Sequence, residues 1–175
     1  MSMNFATSAT TSFLTLMGVL LGGWLSTRNQ ERLWRRDHAR QWRDIRLSAY
    51  NEFLSAYRQY LAFALDQDAR IFASPSPRKP DEMMPYFDEV GRPYREKFEA
   101  AIMTVRLVSA QRETADAAKE LIDRTRRIAA ARATHTEQDI PTELFDELWK
   151  AHRRFLVAAR QELDLPDIWP SQAEQ

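Results

Sequence analysis

The chain contains no cysteine and only four glycines, and both shortages narrow the chemistry and the fold open to it. Without cysteine there are no disulfide bonds and no thiolate ligands for a metal. So little glycine disfavours a β-rich fold with many tight turns, and it also disfavours a glycine-rich loop that cradles phosphate. A length of 175 residues allows one domain and an appendage, and the composition favours a helical chain.

Charge is also missing from one part of the chain. Residues 1–27 contain no Asp, Glu, Lys, Arg or His, whereas residues 28–46 carry seven arginines against three acidic residues. Residues 47–175 have 18 basic and 22 acidic side chains, so a net charge of zero hides a neutral, a basic and an acidic zone. This order of zones is typical of a membrane anchor with a basic collar.

The uncharged stretch over residues 5–26 is long enough to cross a bilayer, because about 20 helical residues span the ~30 Å hydrocarbon layer. We therefore expect a transmembrane anchor at 1–27. A cleaved signal peptide is the alternative, although the segment lacks a basic start and a small-x-small cleavage site. Since arginines keep their flank in the cytoplasm, the sequence predicts a single-pass inner-membrane protein with its N-terminus outside.

Small residues share one face of the predicted span, at Thr11, Thr15, Gly18 and Gly22. The glycines form a small-xxx-small pair that allows close packing of two transmembrane helices. A homodimer is one consequence of this pattern. The simpler interpretation is that such residues are common in membrane helices.

Apolar residues recur at steps of three and four through most of 47–170, which predicts a helical bundle domain. We expect the first helix to run from the span to about Phe72, and others to start at Pro93, near Arg112 and at Pro141. Residues 74–92 are rich in proline and form a predicted connector, either a docking loop or a segment packed on the bundle. The predicted fold class is thus all-α, with the transmembrane helix continuing into a cytoplasmic antiparallel four-helix bundle and a tail at 171–175.

The seven arginines of 28–46 fall within an arc of about 140° when residues are placed at 100° per step of an ideal helix. Anionic lipid headgroups of the inner leaflet are the expected partners of the arginines nearest the span, namely Arg28, Arg32, Arg35 and Arg36. Acidic groups of the bundle or of a partner are expected for Arg40, Arg43 and Arg46. Nucleic acid is disfavoured because the bundle is acidic and no recognised motif accompanies the ridge.

A second face of the same helix carries Trp34, His38, Trp42 and Ile45. Exposed tryptophans at this spacing favour contact with an unknown protein partner or with a second copy of the chain. Packing of these residues beneath the bundle is the alternative.

Residues with catalytic spacing are not found. The three histidines, His38, His135 and His152, form no Glu-x-x-His or His-Glu-x-x-His pair, and no phosphate-binding loop is present. We therefore predict no catalytic, metal or cofactor residues. His152 falls on an apolar stripe and is expected to be a hydrogen-bonded core histidine.

The first third of the chain resembles uncharacterised small bacterial single-pass membrane proteins with an Arg-rich juxtamembrane helix. The resemblance rests on Trp42-Arg43-Asp44 and on the following Ala49-Tyr50-Asn51-Glu52-Phe53-Leu54. It implies an anchored helical cytoplasmic domain and no known activity.

Taken together, the sequence favours a membrane-anchored helical module that binds or regulates another protein at the inner leaflet. A homo-oligomeric membrane effector that alters permeability is the first alternative, and an enzyme with a buried polar site is the second. An apolar groove would favour the interaction module, and a symmetric contact would favour the homo-oligomeric effector. A buried polar pocket would favour an enzyme.

Overall fold

The structure is a computed structural model that describes residues 3–77, 80, 82–136 and 139–166, with side chains described from Trp34 onward. Its elements are α1 (Met3–Leu65), β1 (Ile71–Pro75), β2 (Met83–Phe87), α2 (Arg92–Val108), α3 (Arg112–Ala131) and α4 (Thr142–Glu162). The chain divides into two compact units, Met1–Asp44 and Ile45–Gln175. The first contains the N-terminal part of α1, and the second contains the rest of α1 together with all the other elements.

The predicted helical bundle is confirmed, but the all-α class is wrong because a small sheet lies within the predicted connector. Strands β1 and β2 pair antiparallel, with Ile71 opposite Phe87 and Ala73 opposite Pro85. The prolines of this segment exclude a helix interior, yet they are tolerated in edge strands. In a two-stranded sheet both strands are edges, so the prolines that predicted a connector are compatible with a hairpin.

Helix α1 ends at Leu65 and not near Phe72 as predicted. The residues that follow it form a turn in which the Asp68 backbone N–H donates to the Asp66 carboxylate oxygen Oδ1 at 2.9 Å. An aspartate that binds the backbone two residues later replaces the helical hydrogen bonds and turns the chain. No glycine or proline is needed for this, and the helix boundary was therefore misplaced.

Aromatic rings from α1, α2 and α4 meet at the centre of the second unit. Phe53 is fully buried, stacks on Phe98 of α2 at 5.9 Å between ring centroids, and meets Phe155 of α4 edge-on at 5.1 Å. Such rings bury large apolar areas, and offset or edge-on pairs are the preferred geometries. Of the apolar stripe predicted on α1 from Leu47 onward, Tyr50 and Tyr57 are also buried, whereas Leu47 at its start is 43% exposed.

Contacts between the helices show that α1 and α3 run antiparallel to α2 and α4. Tyr50 of α1 meets Phe155 while Tyr57 meets His152, so residue numbers rise on α1 as they fall on α4. The same reversal holds between α3 and α4, in the ion pairs Glu120–Arg154 and Arg124–Glu147. The connection between α2 and α3 is short, and the break expected near 109–112 is confirmed between Val108 and Arg112.

The hairpin covers the end of the aromatic core. Phe87 is buried against Tyr60 and Phe63 of α1, with ring centroids 4.7 and 5.0 Å apart. The opposite face is exposed, with Phe72 paired across the strands with Tyr86. The segment therefore packs on the bundle through one face, as one interpretation expected, whereas docking of a partner on its open face remains a prediction.

An ion pair joins the interior of α1 to the C-terminal ends of α2 and α4. The Arg46 Nε of α1 lies 3.3 Å from Oε1 of Glu162 in α4 and donates to the Val108 carbonyl at the end of α2, at 3.0 Å. The same Glu162 oxygen accepts the Ala110 backbone N–H at 2.8 Å, and the Glu162 side chain is only 1% exposed. The expected pairing with a bundle acid is thus confirmed for Arg46, whereas Arg40 and Arg43 are exposed.

No helix, taken over the residues that the structure describes, is long and apolar enough to cross a membrane. The backbone of the predicted anchor is helical from Met3 onward as part of α1. The side chains of this segment, and with them the packing at Thr11, Thr15, Gly18 and Gly22, lie outside what the structure describes, so the anchor remains a prediction.

We expect Arg46→Ala to destabilise the bundle by about 3–5 kcal/mol, because it leaves the buried Glu162 carboxylate without its cation. The free energy of unfolding from denaturant titration of the full-length chain measures this change. Arg43→Ala is the matched control at an exposed position and should change stability by less than about 0.5 kcal/mol. Equal effects of the two variants would contradict the structural role of the ion pair.

Gly91→Ala should also destabilise the bundle, because an added Cβ would overlap the Phe63 ring and the Phe87 Cβ. Overpacking of this kind typically costs about 1–3 kcal/mol. In the same titration, Phe63→Leu introduced beside Gly91→Ala should recover part of the loss, since it removes the obstructing ring. If the double variant shows the sum of the two separate losses, the overlap is not the cause.

Candidate interaction surface

Three aromatic side chains form a continuous row along α1, which we call the aromatic ladder: Trp34, His38 and Trp42. Their spacing of four residues places them one above another on a helix face. The Trp34 and His38 rings stack with centroids 5.0 Å apart and an interplanar angle of 10°. The His38 and Trp42 rings meet edge-on at 6.2 Å, and the Trp42 Nε1 donates a hydrogen bond to the His38 Nε2 at 3.0 Å.

This hydrogen bond identifies the His38 nitrogen that acts as the acceptor. An indole N–H is only a donor, so the His38 Nε2 that accepts it carries no proton, and the hydrogen of the neutral ring lies on Nδ1. A doubly protonated ring has no acceptor and would have to release Trp42. The geometry of the ladder thus includes an accepting nitrogen at His38 Nε2.

The ladder is open to solvent. Trp34 is 64% and Trp42 40% exposed, and every other residue between Trp34 and Asp44 is exposed as well. Ile45, the fourth residue predicted to contact a partner, is also 40% exposed. Large aromatic side chains grouped on an accessible face are characteristic of interaction surfaces. Contact of these four residues with a partner remains a prediction.

Positive charge accompanies the ladder. Arg35, Arg36, Arg40 and Arg43 are all exposed, against two acidic residues, Asp37 and Asp44, in the same stretch. The side chains of Arg28 and Arg32, predicted to bind lipid headgroups, lie outside the part of the chain described. The surface thus combines a strip of flat rings with excess cationic groups, which suits an anionic surface or a partner with an acidic rim.

A cleft with a volume of about 400 Å³ lies between the hairpin and α3. The two arginines that line it are paired with acids of neighbouring helices. Arg126 lies 2.6 Å from Glu99, and Arg127 lies 3.8 Å from Glu147. Sequence analysis missed this cleft because it depends on the hairpin. The other lining residues are alanines, methionines, two acids and a threonine: Ala73, Glu82, Met83, Met84, Asp123, Ala130, Ala131 and Thr134.

The described residues contain no assembled metal site. No group of three or more His, Asp or Glu side chains there is arranged to hold a metal ion. His135 lies in an exposed loop, and its Nδ1 contacts the Thr134 hydroxyl and the Ala131 carbonyl. His152 was expected to be hydrogen-bonded, but its Nε2 is buried with no hydrogen-bond partner among the described residues, so that expectation was wrong.

Comparisons with known proteins add no relative: no family model, curated protein or solved structure matches the chain.

We expect the ladder to contribute little to folding, because its rings are exposed. Trp34→Ala and Trp42→Ala should each change the free energy of unfolding by no more than about 0.5 kcal/mol. Phe53→Ala, a buried ring on the same helix, should cost about 3–5 kcal/mol in the same denaturant titration. Losses at the ladder as large as at Phe53 would mean that its rings belong to the core and not to an interaction surface.

Proposed function

We propose that the chain is a membrane-anchored helical interaction module that binds or regulates another protein at the inner leaflet. In this proposal residues 1–27 cross the inner membrane once, with the N-terminus outside and the bundle in the cytoplasm. The observation that carries the proposal is the exposed aromatic ladder, set among exposed arginines on α1.

Distance along the helix separates two uses of this surface. An α-helix rises 1.5 Å per residue, so Trp34 is about 10 Å and Trp42 about 22 Å beyond residue 27. Attraction to anionic headgroups is about 1 kcal/mol for each basic residue near the surface and fades over a Debye length of ~8–10 Å. The lower arginines, Arg28, Arg32, Arg35 and Arg36, therefore suit lipid, whereas Trp42 lies beyond its reach if the helix stands upright.

The far end of the ladder is then available to a protein. Tryptophan is among the residues that contribute most to binding energy at interfaces, because a large flat ring buries much area with little loss of conformational freedom. Exposed Arg40 and Arg43 add positive charge near Trp42. The partner that fits is an apolar surface with an acidic rim.

The membrane part of the proposal is tested by fractionation and protease access. We expect the full-length chain to stay in the membrane pellet after alkaline carbonate extraction, and a chain lacking residues 1–27 to leave it. Protease added to spheroplasts should spare the bundle, and protease added to inverted vesicles should digest it. Carbonate extraction of the full-length chain, or digestion from the outside, would refute the proposed anchor or its orientation.

The interaction part is tested by a photo-crosslinking amino acid placed at Trp42 in the full-length membrane-bound chain. We expect one discrete adduct with another protein, reduced at least tenfold when Trp34→Ala and His38→Ala are added. The same amino acid at Phe72, exposed on the hairpin, is the control and should give no such adduct.

An adduct of twice the chain's mass would instead support the homo-oligomeric alternative. Crosslinks at Trp42 that are unchanged by the ladder substitutions, or crosslinks to lipid alone, would contradict the proposed protein contact.

A further inference from the structure

His152 of α4 lies in the contact between α4 and α1, away from the aromatic ladder. Its ring stacks on Tyr57 of α1 with centroids 5.7 Å apart and an interplanar angle of 26°. Trp149, one turn earlier on α4, meets the ring edge-on at 5.9 Å. The Nε2 is buried and has no hydrogen-bond partner among the described residues. The imidazole therefore serves as a packed ring in a helix contact, with one nitrogen enclosed.

The groups around this ring do not accommodate a positive charge. From α1 it faces Tyr57, a phenol that stays neutral because burial raises its pKa to about 12, and the cationic Arg58. Its ring neighbour on α4, Trp149, carries no charge. Within the described residues the ring has no ion pair with an acid. Burial, and next the positive charge of Arg58, both lower the pKa of His152 below its ordinary value.

We propose that His152 is an acid-sensitive latch between α4 and α1: its neutral ring packs on Tyr57, and its protonation opens this contact. The doubly protonated ring carries a hydrogen on both nitrogens, so the buried Nε2 is then a donor with no acceptor and the ring is a cation near Arg58. Both costs are relieved when the 149–152 turn of α4 moves away from α1 and exposes the ring to water. This device belongs to the bundle and does not depend on the membrane anchor or the aromatic ladder.

The direction of the pH effect follows from the difference in proton binding between the closed and the open state. Because the pKa of His152 is lower in the closed bundle than in the open state, the open state binds more protons below pH 6.5 or so. The stabilising contribution of the closed contact is complete above that pH. It is lost as the pH falls toward the lowered pKa, and the opening equilibrium rises by up to about tenfold per pH unit.

Amide hydrogen exchange of the full-length chain in detergent, corrected for the intrinsic effect of pH, measures this opening. Between pH 7.5 and 5.5 we expect faster exchange in the α4 turn around His152 and in the facing part of α1 around Tyr57. The His152→Gln variant should lose this pH response, whereas His135→Gln, at an exposed loop position, should keep it. Arg58→Gln should weaken the response, since it removes one of the two causes.

A proton NMR titration of the three imidazole rings tests the same proposal without altering His152. The signals of His38 and His135 are assigned from His38→Gln and His135→Gln, and the remaining signal belongs to His152. Its midpoint should lie below that of an unperturbed histidine. A midpoint at or above the ordinary value, or an unchanged pH response in His152→Gln, would overturn the latch.

Discussion

The buried ion pair between Arg46 and Glu162 is the constraint on which the arrangement of the bundle depends. A carboxylate that is almost fully enclosed must be matched by a cation and by hydrogen-bond donors, and removal of one partner is far more costly than the pair is favourable. Arg46 supplies the charge and also binds the last carbonyl of α2, where a helix end carries partial negative charge. The Ala110 N–H supplies a further donor, so the α2–α3 connection is held between α1 and α4. Nearby, the Tyr50 hydroxyl lies 3.3 Å from the Ser109 Oγ. Burial raises the pKa of Tyr50 to about 12, which keeps this hydroxyl protonated. A slip of any one helix would break several of these contacts at once.

The sequence predicted the elements that follow from periodicity and missed those that follow from tertiary contacts. The stripe that includes Tyr50 and Tyr57 identified the buried face of α1, because its spacing matches the helical repeat. The hairpin was missed because five-residue strands carry a weak pattern and the prolines of the segment indicated a connector. Its stability derives from Phe87 packing on Tyr60 and Phe63, residues far away in sequence. In the same way, Arg46 was expected to meet a bundle acid, but nothing local distinguished Glu162 from the other acidic residues.

For the candidate interaction surface too, spacing in the sequence predicted which residues share a face but not how their side chains contact one another. A spacing of four residues was enough to group Trp34, His38 and Trp42 on one face of a helix. The stacking of Trp34 on His38, and the hydrogen bond from Trp42 to His38, depend on side-chain rotamers that spacing does not determine. The environment of His152 was misjudged for a related reason. An apolar stripe indicates that a histidine is packed, but whether its nitrogen atoms find partners depends on the neighbouring helix, which here offers Tyr57 and Arg58.

The hairpin has a consequence for how molecules of this chain behave when they are close together. A sheet of two strands has two unprotected edges, and such edges commonly recruit strands from other molecules. Here Pro85 removes one backbone N–H from the middle of β2, and Pro75 closes β1 at its last residue. Neither edge therefore offers an unbroken row of donors to an incoming strand. The prolines that obscured the hairpin in the sequence thus protect it from aggregation, and they allow Phe72 and Tyr86 to stay exposed on its surface without nucleating a larger sheet.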